Sequence, residues 1–155
     1  MKSFKEKVAV ITGAGSGMGR YLAVLLAKDG ADVCVCDVNE ETLNETVAML
    51  RKYNVSVSSH LLDVSDKESI EALPQKVIDH HGKVDLVFNN AGVTTGAHFK
   101  DMDENNWDWV MGINFDGVVN STRAFIPHLI NNTEAAIVNT SSIFGMVTVP
   151  GQTVY

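Results

Sequence analysis

Cysteine is scarce in this sequence: Cys34 and Cys36 are the two found in 155 residues. They alternate with valine in "DVCVCD", so on a strand both point to one face and behave as small buried apolar groups. No second Cys or His pair stands at ligand spacing, and a metal centre is not expected. Positive charge is in deficit, with 12 Lys and Arg against 19 Asp and Glu and a formal charge of −7. Nucleic acid and anionic membrane both require a basic face, so neither is an expected partner. Long apolar runs are missing as well. The opening "MKSFKEKVAVITG" carries a four-residue apolar run before Thr12 and Gly13. A signal core needs about 7–15 apolar residues and a membrane span about 20. The expected location is cytoplasmic, and the five Asn-x-Ser/Thr sequons at Asn44, Asn54, Asn120, Asn131 and Asn139 read as chance. With no repeat, linker or low-complexity stretch, residues 1–155 read as one domain.

What the chain does carry is an alternation of strand-like and helix-like runs. "KVAVIT" (7–12) is a short β-branched run followed by a glycine-rich turn. "MGRYLAVLLAKDG" comes next, with Leu22, Leu25 and Leu26 at helical spacing and Gly30 as a stop signal. "ADVCVCD" (31–37) reads as a strand, and Asn39 suits the N-cap of a helix with Leu43, Val47 and Leu50 on one face. "VSVSSHL" (55–61) alternates in part, as an outer strand does. Ser65 and Glu68 have capping-box spacing, and the helix they open meets Pro74, which predicts a kink or an early break. His80 and His81, just before Gly82, suit that helix's C-terminus. "VDLVFNN" (84–90) is an apolar strand. A long, mostly helical stretch runs from 105 to 131, where Trp107 and Trp109 read as packing residues, and "AAIVNTSS" (135–142) is a fifth strand. Strands alternating with helices imply parallel pairing, and apolar strands imply helices on both faces. The fold class is α/β, a Rossmann-type doubly wound sheet.

"ITGAGSGMGR" (11–20) falls at the carboxyl end of the first strand, where such a sheet binds ligands. Gly13, Gly17 and Gly19 allow a tight turn and a close backbone approach to pyrophosphate, with the next helix pointing its first N–H groups at the anion. Asp37 ends the second strand, where a carboxylate can accept both ribose hydroxyls of an adenosine and repel a 2′-phosphate. Val38 and Asn39 follow it and Ser16 precedes Gly17, so no basic residue stands ready for that phosphate. These features favour NAD over NADP. Asp63, after the third strand, could reach an adenine edge with its side chain or through the Val64 backbone. An S-adenosylmethionine methyltransferase would share the glycine turn and the acid.

Four further features narrow the choice. Thr12 directly precedes Gly13; "NNAG" (89–92) follows the fourth strand; Asn114 lies inside the long helix; Ser142 and Tyr155 stand thirteen positions apart. Together these resemble the short-chain dehydrogenase/reductase family, over the whole chain but over about three-fifths of a typical member. The resemblance implies an NAD site built from Gly13, Ser16, Gly17, Met18 and Gly19, from Asp37 and Val38, from Asp63 and Val64, and from Asn90, Ala91 and Gly92. Asn89, Ala91 and Gly92 match the family motif that stabilises the central sheet and borders the cofactor. Asn114, Ser142 and Tyr155 match three of four catalytic positions.

The implied activity is hydride transfer between NAD and an alcohol or carbonyl substrate. Ser142 would hold the substrate oxygen and Tyr155 would exchange its proton. Asn114 would hold a relay water through a distortion of its helix. A tyrosine titrates near 10, which leaves about 0.1% phenolate at neutral pH, so such a role needs positive charge nearby. The family's fourth position, a lysine four residues after the tyrosine, falls at 159, beyond this chain. The expectation is that the 155 residues are a truncated piece with little turnover of its own, the alternative function being a silent dinucleotide-binding module. Phe144, Met146, Val149 and Pro150 suggest one apolar wall of a substrate pocket. The full-length protein is expected to form dimers or tetramers.

Overall fold

Every residue of "VAVIT" is buried, on both faces of the strand it forms. The computed structural model describes residues 3–147 and 149–155. That strand, β1 (Val8–Thr12), is followed by α1 (Gly17–Lys28), β2 (Asp32–Asp37), α2 (Glu40–Leu50), β3 (Val57–Leu61), α3 (Lys67–His81) and β4 (Leu86–Asn89). A 3-10 turn at Phe99–Asp101 leads to α4 (Glu104–Met111), a π-helical turn at Gly112–Asp116 and α5 (Gly117–Leu129). The chain then forms β5 (Ala136–Asn139) and a second 3-10 turn at Ile143–Gly145. All strand pairs are parallel, in the order β3-β2-β1-β4-β5. This is the doubly wound α/β fold.

Alternation along β1 explains the two layers. Val8 and Val10, with Cys34, Cys36 and Val87, face Ile70, Leu73 and Val77 of α3 and Phe125 and Leu129 of α5. Ala9 and Ile11, with Val33, Val35 and Leu86, face Ala23 and Leu26 of α1 and Leu43 and Leu50 of α2. Each fully buried Val, Leu, Ile or Phe contributes about 1.5–3 kcal/mol. As expected, Cys34 and Cys36 share a face; their thiols lie 4.0 Å apart. Among the described residues no helix is long and apolar enough to cross a membrane.

Several local expectations need correction. Asp66, not Ser65, caps α3, accepting from the Glu68 and Ser69 N–H groups. A carboxylate is the stronger acceptor there, and Ser65 instead donates through N–H and hydroxyl to Asp63. Helix α3 runs on through Pro74. Proline inside a helix costs about 3 kcal/mol or more, but Pro74 is buried in one stripe with Ile70, Leu73 and Val77, whose packing offsets it. Trp107 and Trp109 lie outside the core, 37% and 48% exposed; Trp107 meets Phe99 edge-on at 6.4 Å. The fifth strand ends at Asn139, so Ser142 stands beyond it as the N-cap of the last 3-10 turn.

Candidate functional site

Strand order reverses beside β1, whose neighbours are β2 and β4. The carboxyl ends diverge there and leave a crevice. A cavity of about 350 Å³ opens in it, lined by Gly13, Ser16, Gly17, Met18, Asp37, Val38, Asp63, Val64, Asn90, Ala91 and Gly92. These are the predicted cofactor residues with one exception. Gly19 does not line the cavity. It packs beneath the turn, where an added Cβ would collide with the Gly13 carbonyl oxygen and lie 2.6 Å from Asn90 Nδ2. Leu62, Val93 and Ile113 also line the cavity. Sequence reasoning missed them. Their only signal is adjacency to Asp63, Gly92 and Asn114.

Thr12 and Asn90 tie β1 to β4 at the mouth. The Thr12 hydroxyl accepts from the Asn90 and Ala91 N–H groups at 3.0 and 3.1 Å. Asn90 Nδ2 donates to the Thr12 and Gly13 carbonyls at 3.1 and 3.2 Å. Asn89 is buried and donates to Asn139 Oδ1 at 2.8 Å, binding β4 to β5.

The start of α1 differs from its neighbours. Asn39, Asp66 and Asp103 cap α2, α3 and α4 with side-chain oxygens, and each of those helices has an acid in its first turn. At α1 the N-cap Ser16 makes no side-chain cap bond and the first turn holds no acid. The partial positive charge of α1's free N–H groups is therefore left for an anion. Gly17, at φ 50°, has nothing within 4 Å of where a Cβ would stand, so the approach to those groups is open. Asp37 sits across the cavity with one backbone amide on each oxygen, Gly15 at 2.8 Å and Asn39 at 3.0 Å. Asp63 Oδ1 is taken by Ser65. An anion cradle, a fixed carboxylate and an apolar floor of Leu62, Val64 and Ile113 suit a dinucleotide.

A second cavity, about 340 Å³, shares Met18, Asn90, Ala91, Gly92 and Val93 with the first. Asn114, Ser142 and Tyr155 all line it. The Asn114 side chain bridges one residue, accepting from Val93 N–H at 2.9 Å and donating to the Val93 carbonyl at 2.8 Å. It does so from inside the π-helical turn, a distortion of the kind expected from the sequence. Ser142 Oγ accepts from Phe144 N–H at 3.2 Å. The Tyr155 ring meets Phe144 edge-on at 5.8 Å. Phe144, Val149 and Pro150 line a third cavity with Tyr155. Met146, 85% exposed, does not join that wall.

The profile of the family described as short chain dehydrogenase matches residues 7–155. A Mycobacterium tuberculosis protein with the provisional name oxidoreductase SadH is 41% identical over 155 residues, 100% of this chain and 56% of that protein. A short chain dehydrogenase/reductase from Burkholderia phymatum, crystallised with NAD, superposes with a TM-score of 0.96 at 41% identity, over 100% of this chain and 56% of that one. NAD+-bound xylitol dehydrogenase gives 0.94 at 32% identity, over 99% and 60%. The chain thus spans just over half the length of the relatives it matches.

Proposed function

The chain belongs to the short-chain dehydrogenase family, and from that premise we propose that it is the NAD-binding part of an oxidoreductase acting on an alcohol or carbonyl substrate. One observation carries this reading: the cavity between the glycine turn and Asp37 shares five wall residues, Met18 and Asn90 to Val93, with the cavity lined by Asn114, Ser142 and Tyr155. NAD supplies hydride exchange when bound. The protein's own part is to bind, orient and handle a proton.

The free N–H groups at the start of α1 would hold the pyrophosphate, and Asp37 would accept hydrogen bonds from the adenosine ribose hydroxyls. Leu62, Val64 and Ile113 would give the bound dinucleotide an apolar wall. In the second cavity Ser142 Oγ donates to the substrate oxygen and Tyr155 Oη exchanges the proton on that oxygen. Asn114 fixes Val93 at the joint between the two cavities.

A titration followed by nicotinamide fluorescence tests the binding half. NADH is expected to bind more tightly than NADPH, and calorimetry with S-adenosylmethionine is expected to give no heat. A well-folded chain that ignores NADH would sink the reading.

A further inference from the structure

Asp37 is one link in a closed ring of hydrogen bonds. Its Oδ2 accepts from Gly15 N–H at 2.8 Å. The Gly15 carbonyl accepts from Arg20 Nε at 2.9 Å and also from Arg20 Nη2. Nη2 reaches on to the Thr42 carbonyl at 3.1 Å. Thr42 N–H donates to Asn39 Oδ1 at 3.0 Å, and Asn39 N–H returns to Asp37 Oδ1 at 3.0 Å. The preceding carbonyl, Ala14, is held by Thr46 Oγ1 at 2.9 Å. Two successive peptides of the glycine turn are therefore pinned by α1 and α2 together. There is no slack at Gly15, where an added Cβ would lie 2.6 Å from Thr42 Oγ1 and 2.8 Å from Asp37.

Arg20 does not line the cofactor cavity. Its charge is paired with Glu45 at 2.8 Å, so it is not placed as a phosphate ligand. What it does is hold one face of the Gly15–Ser16 peptide inward. A trans peptide carries its N–H opposite its C=O, so the Ser16 N–H is turned the other way, and Ser16 lines the cavity. Resting on the NAD reading above, we propose that Arg20 is a positioning residue for cofactor selection. It holds the Gly15–Ser16 peptide, and through Gly15 the Asp37 carboxylate, where that carboxylate accepts a ribose diol and repels a 2′-phosphate. The refusal of a wrong ligand depends on a repulsive group that cannot move aside. A carboxylate with one amide on each oxygen cannot rotate without losing both bonds.

The test compares the wild-type chain with Arg20→Met, Arg20→Lys and Asn39→Ala. Each is titrated with NADH and NADPH, and amide exchange is read at Gly15 and Asn39 without cofactor. For Arg20→Met, NADH affinity is expected to fall about tenfold while NADPH affinity holds, so the preference narrows about tenfold. Gly15 exchange accelerates in the same variant. Arg20→Lys, with a single point donor, restores part of both effects. Asn39→Ala opens the ring on its opposite side and narrows the preference in the same direction, which decides the matter if Arg20→Met does not fold. Equal weakening of both cofactors, or unchanged Gly15 exchange in folded Arg20→Met, overturns the proposal and leaves the NAD reading intact. A folded wild-type chain that binds neither cofactor removes both.

Discussion

Asp85 is 2% exposed, yet it is well provided for. It accepts from Val8 N–H at 2.9 Å and Asn132 Nδ2 at 2.7 Å, and pairs with Lys83 at 3.0 Å. Burial alone would push its carboxyl up; the bonds from Val8, Lys83 and Asn132 outweigh that and hold it below the ordinary value. The unfolded chain thus binds this proton at higher pH than the folded one. The stabilisation is complete above the unfolded value and is lost as pH falls through the folded one. Asp85→Ala leaves the Val8 N–H without its acceptor, at an expected cost of about 2–3 kcal/mol in urea unfolding at neutral pH. His81 works in the opposite sense. Burial, then the charge of His80, lowers its value against a partial pull upward from Asp32. An unfolded imidazole therefore takes its proton first, near 6.5, and stability should decline as pH drops below that value. Thermal unfolding between pH 8 and 5 is expected to show this decline, flattened in His81→Gln. An equally steep decline in the variant would assign it elsewhere.

Two glycines of one element separate binding from folding. At Gly17 the cost of a side chain is the positive φ, about 1–2 kcal/mol for a residue with a Cβ. The added methyl would project into open space beside the cavity. Gly17→Ala should therefore keep most stability while losing NADH affinity by at least about tenfold, as the pyrophosphate approach closes. At Gly19 the methyl would meet Gly13 and Asn90, so Gly19→Ala should lose about 1–3 kcal/mol of stability by overpacking and lose binding with it. Paired unfolding curves and titrations distinguish the two; similar behaviour would refute the assignment. These glycines were legible from sequence because strand, turn and helix are contiguous there. The α3 start was not, because Ser65 and Asp66 are adjacent candidate caps and only the path of the chain decides between them. Arg20 stayed hidden for a related reason: its partners Thr42 and Glu45 lie 22 and 25 residues away, joined to it only once α1 packs on α2. The continuation of α3 past Pro74 is not legible in the sequence, because the cost of the proline shows there and its compensating burial does not.

At the scale of the molecule, the two cavities differ in how much of their wall these residues supply. The first cavity is walled by residues from Gly13 to Ile113, and its Leu62, Val64 and Ile113 belong to the core that faces α3 and α5. The second cavity is bounded at one side by Ser142 and Tyr155, in a stretch where Tyr155 is 42% exposed and touches one aromatic neighbour, Phe144. Among the described residues β5 pairs with β4 alone, and Val138 on it is 45% exposed. Binding and proton exchange should therefore be separable, binding resting on the first cavity and proton exchange on Tyr155, which lines the second cavity and not the first. On the proposed reading, Tyr155→Phe is expected to keep NADH affinity within about twofold and to slow hydride exchange with alcohol or ketone substrates at least about 100-fold, the scale of a lost general acid–base contribution. Rates normalised to bound NADH decide it. Comparable turnover in the variant would show that Tyr155 does not exchange the proton, and the division of labour between the cavities would have to be redrawn.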